Sequence, residues 1–240
     1  AAVALRANTS QRVVDVILGA LAPVIPERVV AAANGANTSA VFAGTDYIYF
    51  ETLGGGMGAR CAKDGKDGVQ VHITNTSNLP VEAIEMEYPL RVEAYELIRD
   101  SGGAGRQRGG MGLRRVITPV DHTTEFSGVG ERFRHPPWGL DGGWPGGTGR
   151  FRIRRADGGA ETLPGKITGV PCRAEEAVII ETPGAGGYGA PGERDAEAVA
   201  ADLRGGKISP AFAARYYPQA VAGDGPRETN DPDDNRETDR

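Results

Sequence analysis

Between Glu51 and Asn78 the chain gathers residue types that can handle a small polar ligand. The run ETLGGGMGAR, Glu51 to Arg60, sets a carboxylate and then Gly54, Gly55, Gly56 and Gly58 directly behind an aromatic, apolar stretch. Glycines without a Cβ let a ligand reach backbone N–H groups, which suits an oxyanion. No Gly-Lys-Ser/Thr follows, so this is not a P-loop, and the run serves equally as a sharp structural turn. Further on, His72 carries a side chain able to exchange a proton near neutral pH. Asn75 and Asn78 each offer donors and acceptors. These residues crowd a strand end and the loop behind it, a common place for a substrate site. The candidate catalytic groups are His72 and Glu51, with Gly54, Gly55, Gly56, Asn75 and Asn78 as a binding wall. The alternative is structural: asparagines hold turns through their side chains, and a lone histidine is commonly a hydrogen-bonded core residue.

Other constellations carry less. Asp121, His122 and Ser127 hold triad letters without a Gly-x-Ser-x-Gly elbow, and neighbours on a strand would point to opposite faces. The three histidines, His72, His122 and His135, have no metal-ligand spacing between them, so no metal is expected on this chain. The stretch DSGGAGRQRGGMGLRR, Asp100 to Arg115, looks like an Arg-Gly RNA-binding segment but has no aromatic residues for stacking.

The elements that must position these groups are mostly strands. Val13, Val14, Ile17, Leu18 and Leu21 recur at helical spacing behind Ser10, a candidate cap, and Pro23 and Pro26 end that helix. Strands are expected at Tyr47–Thr52 and Val69–Thr74. Ile84, Met86, Tyr88, Leu90 and Val92 alternate with charged or polar positions, which predicts a strand with Pro89 at a sheet edge. The apolar phase flips at Tyr95 and Leu97, which predicts a bulge. Further strands are expected at Leu113–Pro119, Thr123–Ser127, Gly149–Arg154 and Ala177–Glu181. Asp195 should cap a helix ending at Gly205, and Ser209-Pro210 should start another. The fold class is therefore α+β, mostly β, with one leading helix and two near the end.

The chain has 240 residues, 36 of them glycine without a three-residue period, which excludes collagen and suggests many tight turns. Its two cysteines form no CxxC pair, so neither a disulfide framework nor a zinc ribbon is expected. Net charge is -5. Seven carboxylates against three arginines between Val221 and Arg240 supply four of those charges, so the body is near neutral. That balance argues against nucleic-acid or membrane-surface partners. No apolar run is long enough to span a membrane and no signal peptide is visible, which predicts a cytoplasmic location. Residues 1–218 read as one folded unit and 219–240 as a disordered acidic tail. Cutting at Pro218 is expected to move the thermal midpoint by no more than about one or two degrees, as for a change that touches only surface. A larger loss in a melting experiment would show that the tail docks.

Four segments together resemble a known family: ETLGGGMGAR, HITNTSNLPVEAIEMEYPLRVEAYELIRDSGGAGRQRGGMGLRR, RFRHPPWGLDGGWPGGTGR and ETPGAGGYGAPGERD. In this order they resemble the C-terminal portion of hydantoinase B subunits and of 5-oxoprolinases, over about Thr9 to Tyr217. The acetone carboxylase large subunits are similar at a greater distance. The resemblance implies one component of a two-component, ATP-dependent enzyme that opens hydantoin- or 5-oxoproline-like rings. An A-type, ATP-binding subunit would phosphorylate the cyclic amide, with ATP and Mg2+ held by that partner, and the B-type component would complete ring opening with water. In that setting Asn75 and Asn78 would match the amide edges of the ring. Family members also carry an N-terminal half with a metal-like His- and Asp-rich segment, absent from this sequence. A divalent metal would belong to that half, and this chain would be inactive without it. SGVGERFR departs from the family's usual pattern at Gly128 and Glu131. The alternatives are a carboxylase-type subunit, in which a carboxyl donor replaces water, and a non-catalytic scaffold fragment.

Overall fold

The computed structural model describes residues 8–221. Helix α1, Ser10–Leu21, leads into nine strands in two antiparallel sheets. The first sheet has the order β2-β1-β5-β8, from Ile48–Leu53, Thr38–Ala43, Thr124–Val129 and Lys166–Cys172. The second has the order β3-β4-β9-β6-β7, from Leu90–Leu97, Leu113–Pro119, Ala177–Glu181, Arg150–Arg154 and Ala160–Leu163. Alternation sends one face of each strand inward, so Phe42, Tyr49, Phe126, Phe151, Ile153, Val178 and Ile180 form a common core. Phe126 and Phe151 meet across it edge to face, with centroids 5.4 Å apart. Burying each such side chain stabilises the fold by about 1.5–3 kcal/mol. The α+β, mostly β reading holds.

The strands expected near 113–119, 124–129, 150–154 and 177–181 are present, and β3 is indeed an edge strand with a register shift between Val92 and Ala94. Three expectations fail. The alternating run does not start as a strand: Val81–Glu87 forms helix α2. Its glutamates, Ala83 and Met86 are good helix formers, and Ile84 and Tyr88, four apart, share the face that packs on the core while Met86 stays exposed. Period two and period 3.6 both fit so short a run. Glu85 then ties α2 to β3 by accepting from the Val92 N–H at 2.9 Å. Val69–Thr74 is not a strand either. It makes a single bridge, Gly55 to Val69, and breaks at Gly68 and His72, both with φ of 58°. Ser10 is the first residue of α1 and not its cap. Strands β1, β7 and β8 went unread: β1 follows a stretch rich in Ala, Asn and Gly, β7 has four residues, and β8 is interrupted by Gly169 and Pro171.

Asp195 and Ser209 do cap α3, Ala196–Arg204, and α4, Pro210–Tyr216, accepting from the N–H groups of Glu197 and Phe212. Chain order continues past Pro218 as a short helix, Pro218–Val221, whose Ala220 packs against a second apolar cluster of Val199, Ile208, Ala213 and Tyr217. A cut at Pro218 would take Ala220 away from this cluster and so remove more than the bare surface expected from the sequence. Most of the sequence expected to form the tail lies outside the described residues.

The glycines correct a further expectation. Most are not in turns. The Gly-rich segments near residues 54–58, 102–112, 139–147 and 184–189 lie outside the named strands and bond to one another through the backbone. Gly56 N–H donates to Pro183, Ala59 to Gly186, Gly103 to Ala185, Gly110 to Met57 and Gly184 to Gly147, all at 2.8–3.0 Å. A Cβ on Gly58 would stand 1.7 Å from the Ala31 carbonyl oxygen, and one on Gly184 1.8 Å from that of Ser101. Glycine is required here for close backbone approach. Buried charges fasten this bundle to α3. Arg108, fully buried, reaches Asp67 at 3.1 Å and Asp202 at 3.3 Å. Arg194 reaches Asp64 at 2.8 Å and Asp202 at 2.7 Å.

Candidate functional site

A cleft of about 330 Å³ opens where the end of β2 meets the irregular segment after Gly68. Its walls carry Thr52, Gln70, Thr74, Asn75 and Asn78, with Tyr95 of β3 on one side. Gly54 and Gly68 also line it, and a Cβ on Gly54 would meet the Val69 backbone at 2.7 Å, so that glycine is required by close approach of the two segments. No carboxylate and no cation lines it, so it presents neutral hydroxyl and amide groups. The segment is tied down by Gln70, whose side-chain amide donates to the Thr52 carbonyl at 3.2 Å. The Thr74 hydroxyl donates to the Asn37 side chain at 2.7 Å.

The residues expected to form one wall fall into three places. Gly54, Asn75 and Asn78 line the cleft. Gly55 and Gly56 do not offer free N–H groups to a ligand: both are buried, and their N–H groups donate to Val69 and Pro183 at 3.0 Å. Glu51 lies beneath the cleft and not in its wall. Strand alternation turns it inward with Tyr49 and Leu53, and its Oε2 accepts from Nη1 of Arg115 at 2.5 Å. Arg115, on β4 and fully buried, donates from Nη2 to Asn78 Oδ1 at 2.6 Å and lies over the Tyr95 ring, 4.0 Å from its centroid. A rigid chain Glu51–Arg115–Asn78 thus reaches the cleft's rim from the core. Burial pushes the Glu51 carboxyl above its ordinary range, and the Arg115 charge offsets only part of that.

His72 sits apart from the cleft. Its Nε2 hydrogen-bonds Asp15 Oδ1 of α1 at 2.9 Å. The other oxygen of Asp15 accepts from Arg12 at 2.6 Å and Arg132 at 2.8 Å. Burial alone would raise the Asp15 carboxyl, but the His72, Arg12 and Arg132 contacts outweigh it and hold it below the usual range. Among the described residues no three His, Cys, Asp or Glu side chains converge as metal ligands, and no helix is long and apolar enough to cross a membrane. His122 lies in the turn between β4 and β5 and not on a strand. Its Nε2 meets the Tyr47 hydroxyl at 2.7 Å and its Nδ1 the Val120 carbonyl at 2.9 Å.

Arg115, Thr52, Gln70 and Tyr95 were missed in the sequence. One signal was available for Arg115: in LRRVI it shares a strand face with Leu113 and Ile117, and an inward arginine needs a buried carboxylate.

Comparison with known proteins places this geometry. Residues 1–191 match the family described as hydantoinase B/oxoprolinase. An uncharacterized protein of Methanocaldococcus jannaschii is 44% identical over 210 residues, 88% of this chain and 37% of its own length. The 5-oxoprolinase 1 of Arabidopsis thaliana is 38% identical over 181 residues, 75% of this chain and 14% of its own. The crystal structure of the ATP-dependent caprolactamase from Pseudomonas jessenii superposes with a TM-score of 0.68 at 27% identity, over 82% of this chain and 36% of that one. The chain thus spans between about a seventh and little more than a third of the length of these relatives. Within that span the sequence match covers both sheets and the cleft, and the chain belongs to the hydantoinase B/oxoprolinase family.

Proposed function

We propose that the cleft receives a cyclic amide and that the chain serves as the ring-opening part of an ATP-dependent cyclic-amide hydrolase. An A-type subunit would supply ATP chemistry with Mg2+, and the region that the longer relatives carry beyond this match would complete the enzyme. The observation that supports this most is the neutral lining. A cyclic amide presents an N–H donor and a carbonyl acceptor on one edge and little charge. Asn75 and Asn78 supply complementary donors and acceptors, and the volume of about 330 Å³ suits a single ring. Phosphorylating the amide oxygen makes sense chemically, because an unactivated amide is a poor electrophile and phosphate a good leaving group.

In this reading Asn75 binds the ring edge directly. Glu51 is a positioning residue: it holds Arg115, which holds Asn78. His72 lies outside the cleft lining, bonded to Asp15, so on this geometry it is a second positioning residue that fixes the segment carrying Asn75.

The test is turnover of hydantoin, 5-oxoproline and caprolactam by the complex reconstituted from an A-type subunit and a full-length B-type chain bearing this sequence. ATP-dependent ring opening is expected, with at least about tenfold lower kcat/KM in Asn75→Ala at an unchanged melt, and a lower kcat/KM together with a lower melting midpoint in His72→Ala, which gives up the Asp15 contact. Two variants at wild-type turnover would make these residues structural and put the chemistry elsewhere. Turnover that requires bicarbonate would favour the carboxylase reading, and no turnover of any ring the scaffold reading.

A further inference from the structure

A second, larger cleft of about 570 Å³ lies away from the neutral one in its lining, and its character is opposite. It is walled by the segment Gly130–His135, by the turn at Pro164–Lys166 and by Arg12 of α1. Four cations face it, Arg12, Arg132, Arg134 and Lys166. Asp15 serves both Arg12 and Arg132 with one carboxylate oxygen, and Glu131 takes Lys166 at 3.1 Å. Four cations against these two carboxylates leave two positive charges unmatched, on a chain whose net charge is -5. Arg134 is exposed and has no ion-pair partner among the described residues. The crowding costs something already: burial, and then the neighbouring Arg132 charge, act to depress the Arg12 pKa against the pull of Asp15.

The frame around these charges is rigid. Arg132 holds φ of 60°, a left-handed conformation unusual for a side-chain-bearing residue, and its side chain is 10% exposed. Phe133 is locked edge to face against Phe151, with centroids 4.8 Å apart. It lies so close to Gly130, Gly149 and Gly165 that a Cβ on any of them would meet its ring within 3 Å. Guanidinium groups fixed before a ligand arrives favour oxyanions, and two unmatched charges beside an aromatic wall suit a dianion with an organic part.

We propose that this cleft binds the phosphoryl group of a small organic phosphate monoester. The inference goes beyond the reading above and does not depend on it: the two clefts share no lining residue, so the phosphate held here is not that of a ring bound in the neutral cleft. It is tested by binding and not by turnover, so absent ring opening in the reconstituted complex leaves it standing, and absent ester binding leaves the ring-opening reading standing.

The experiment is calorimetric titration of the 240-residue chain with phenyl phosphate, benzoate and inorganic phosphate at low salt, in wild type and in the double variant Arg134→Gln, Lys166→Gln. Both substituted side chains are exposed, and melts check the fold. Saturable binding of phenyl phosphate is expected, at least tenfold tighter than benzoate and tighter than inorganic phosphate. The double variant should lose tenfold or more, and so should wild type on raising the salt towards 1 M, where screening acts within about 3 Å. No saturable binding, equal affinity in the double variant, or a preference for benzoate or inorganic phosphate over the ester overturns the proposal.

Discussion

Arg115→Met should lose about 3–5 kcal/mol of folding stability, the usual cost of removing one partner of a buried ion pair. The guanidinium is fully buried between the sheets, and Glu51 beneath it is also buried, so the abandoned carboxylate has no water to turn to. The substitution keeps most of the apolar volume, so cavity formation is a minor part of the loss. The pH dependence separates this cause from a packing defect. Glu51 already has a folded pKa above its ordinary value, so the folded state holds a proton that the unfolded state has released between those two values. Stability from this group therefore falls as pH rises through that window. Without Arg115 the folded pKa climbs further and the window widens. The gap between wild type and Arg115→Met in urea melts should be smaller near pH 5 than near pH 8. A pH-independent gap would show that packing and not charge carries the loss. The Glu51→Gln, Arg115→Met double variant should recover part of it, since no buried charge remains.

Gly58→Ala is expected to cost at least about 3 kcal/mol, at or beyond the upper range for overpacked cores. The added methyl would stand 1.7 Å from the Ala31 carbonyl oxygen and 2.5 Å from its carbon, both backbone. Neither atom can swing aside as a side chain does. Ala31 itself donates to the Ala59 carbonyl at 2.9 Å, and Ala59 to Gly186 at 3.0 Å, so a local shift would pull on the next segment. Gly192→Ala is the matched control. Nothing lies within 4 Å of its added Cβ and its φ is not left-handed, so the change should be neutral or stabilise by about 0.4–1 kcal/mol. Thermal melts of the two variants side by side decide it. Equal midpoints would mean that the glycine bundle yields easily and does not hold the sheets.

The sequence determined the elements whose signals are local. Asp195 and Ser209 cap their helices because a side-chain oxygen and a free N–H lie within three residues of each other. The strands at 113–119 and 177–181 announce themselves through apolar, β-branched runs. The family resemblance was legible in the same way, since it rests on long ordered motifs that survive without any knowledge of contacts. What failed was decided by partners far along the chain. Val81–Glu87 satisfies helix and strand patterns alike, and only packing of Ile84 on the core picks the helix. Glu51 could be placed on a strand, but its inward turn depends on Arg115, 64 residues away, and on a register that leaves Ile48 and Phe50 exposed. His72 reads as a cleft residue until Asp15, 57 residues earlier, is found beside it. The glycines show the limit most clearly. Composition registers their number, but a missing Cβ says only that something comes close, and tertiary structure alone decides that the something is another backbone and not a ligand.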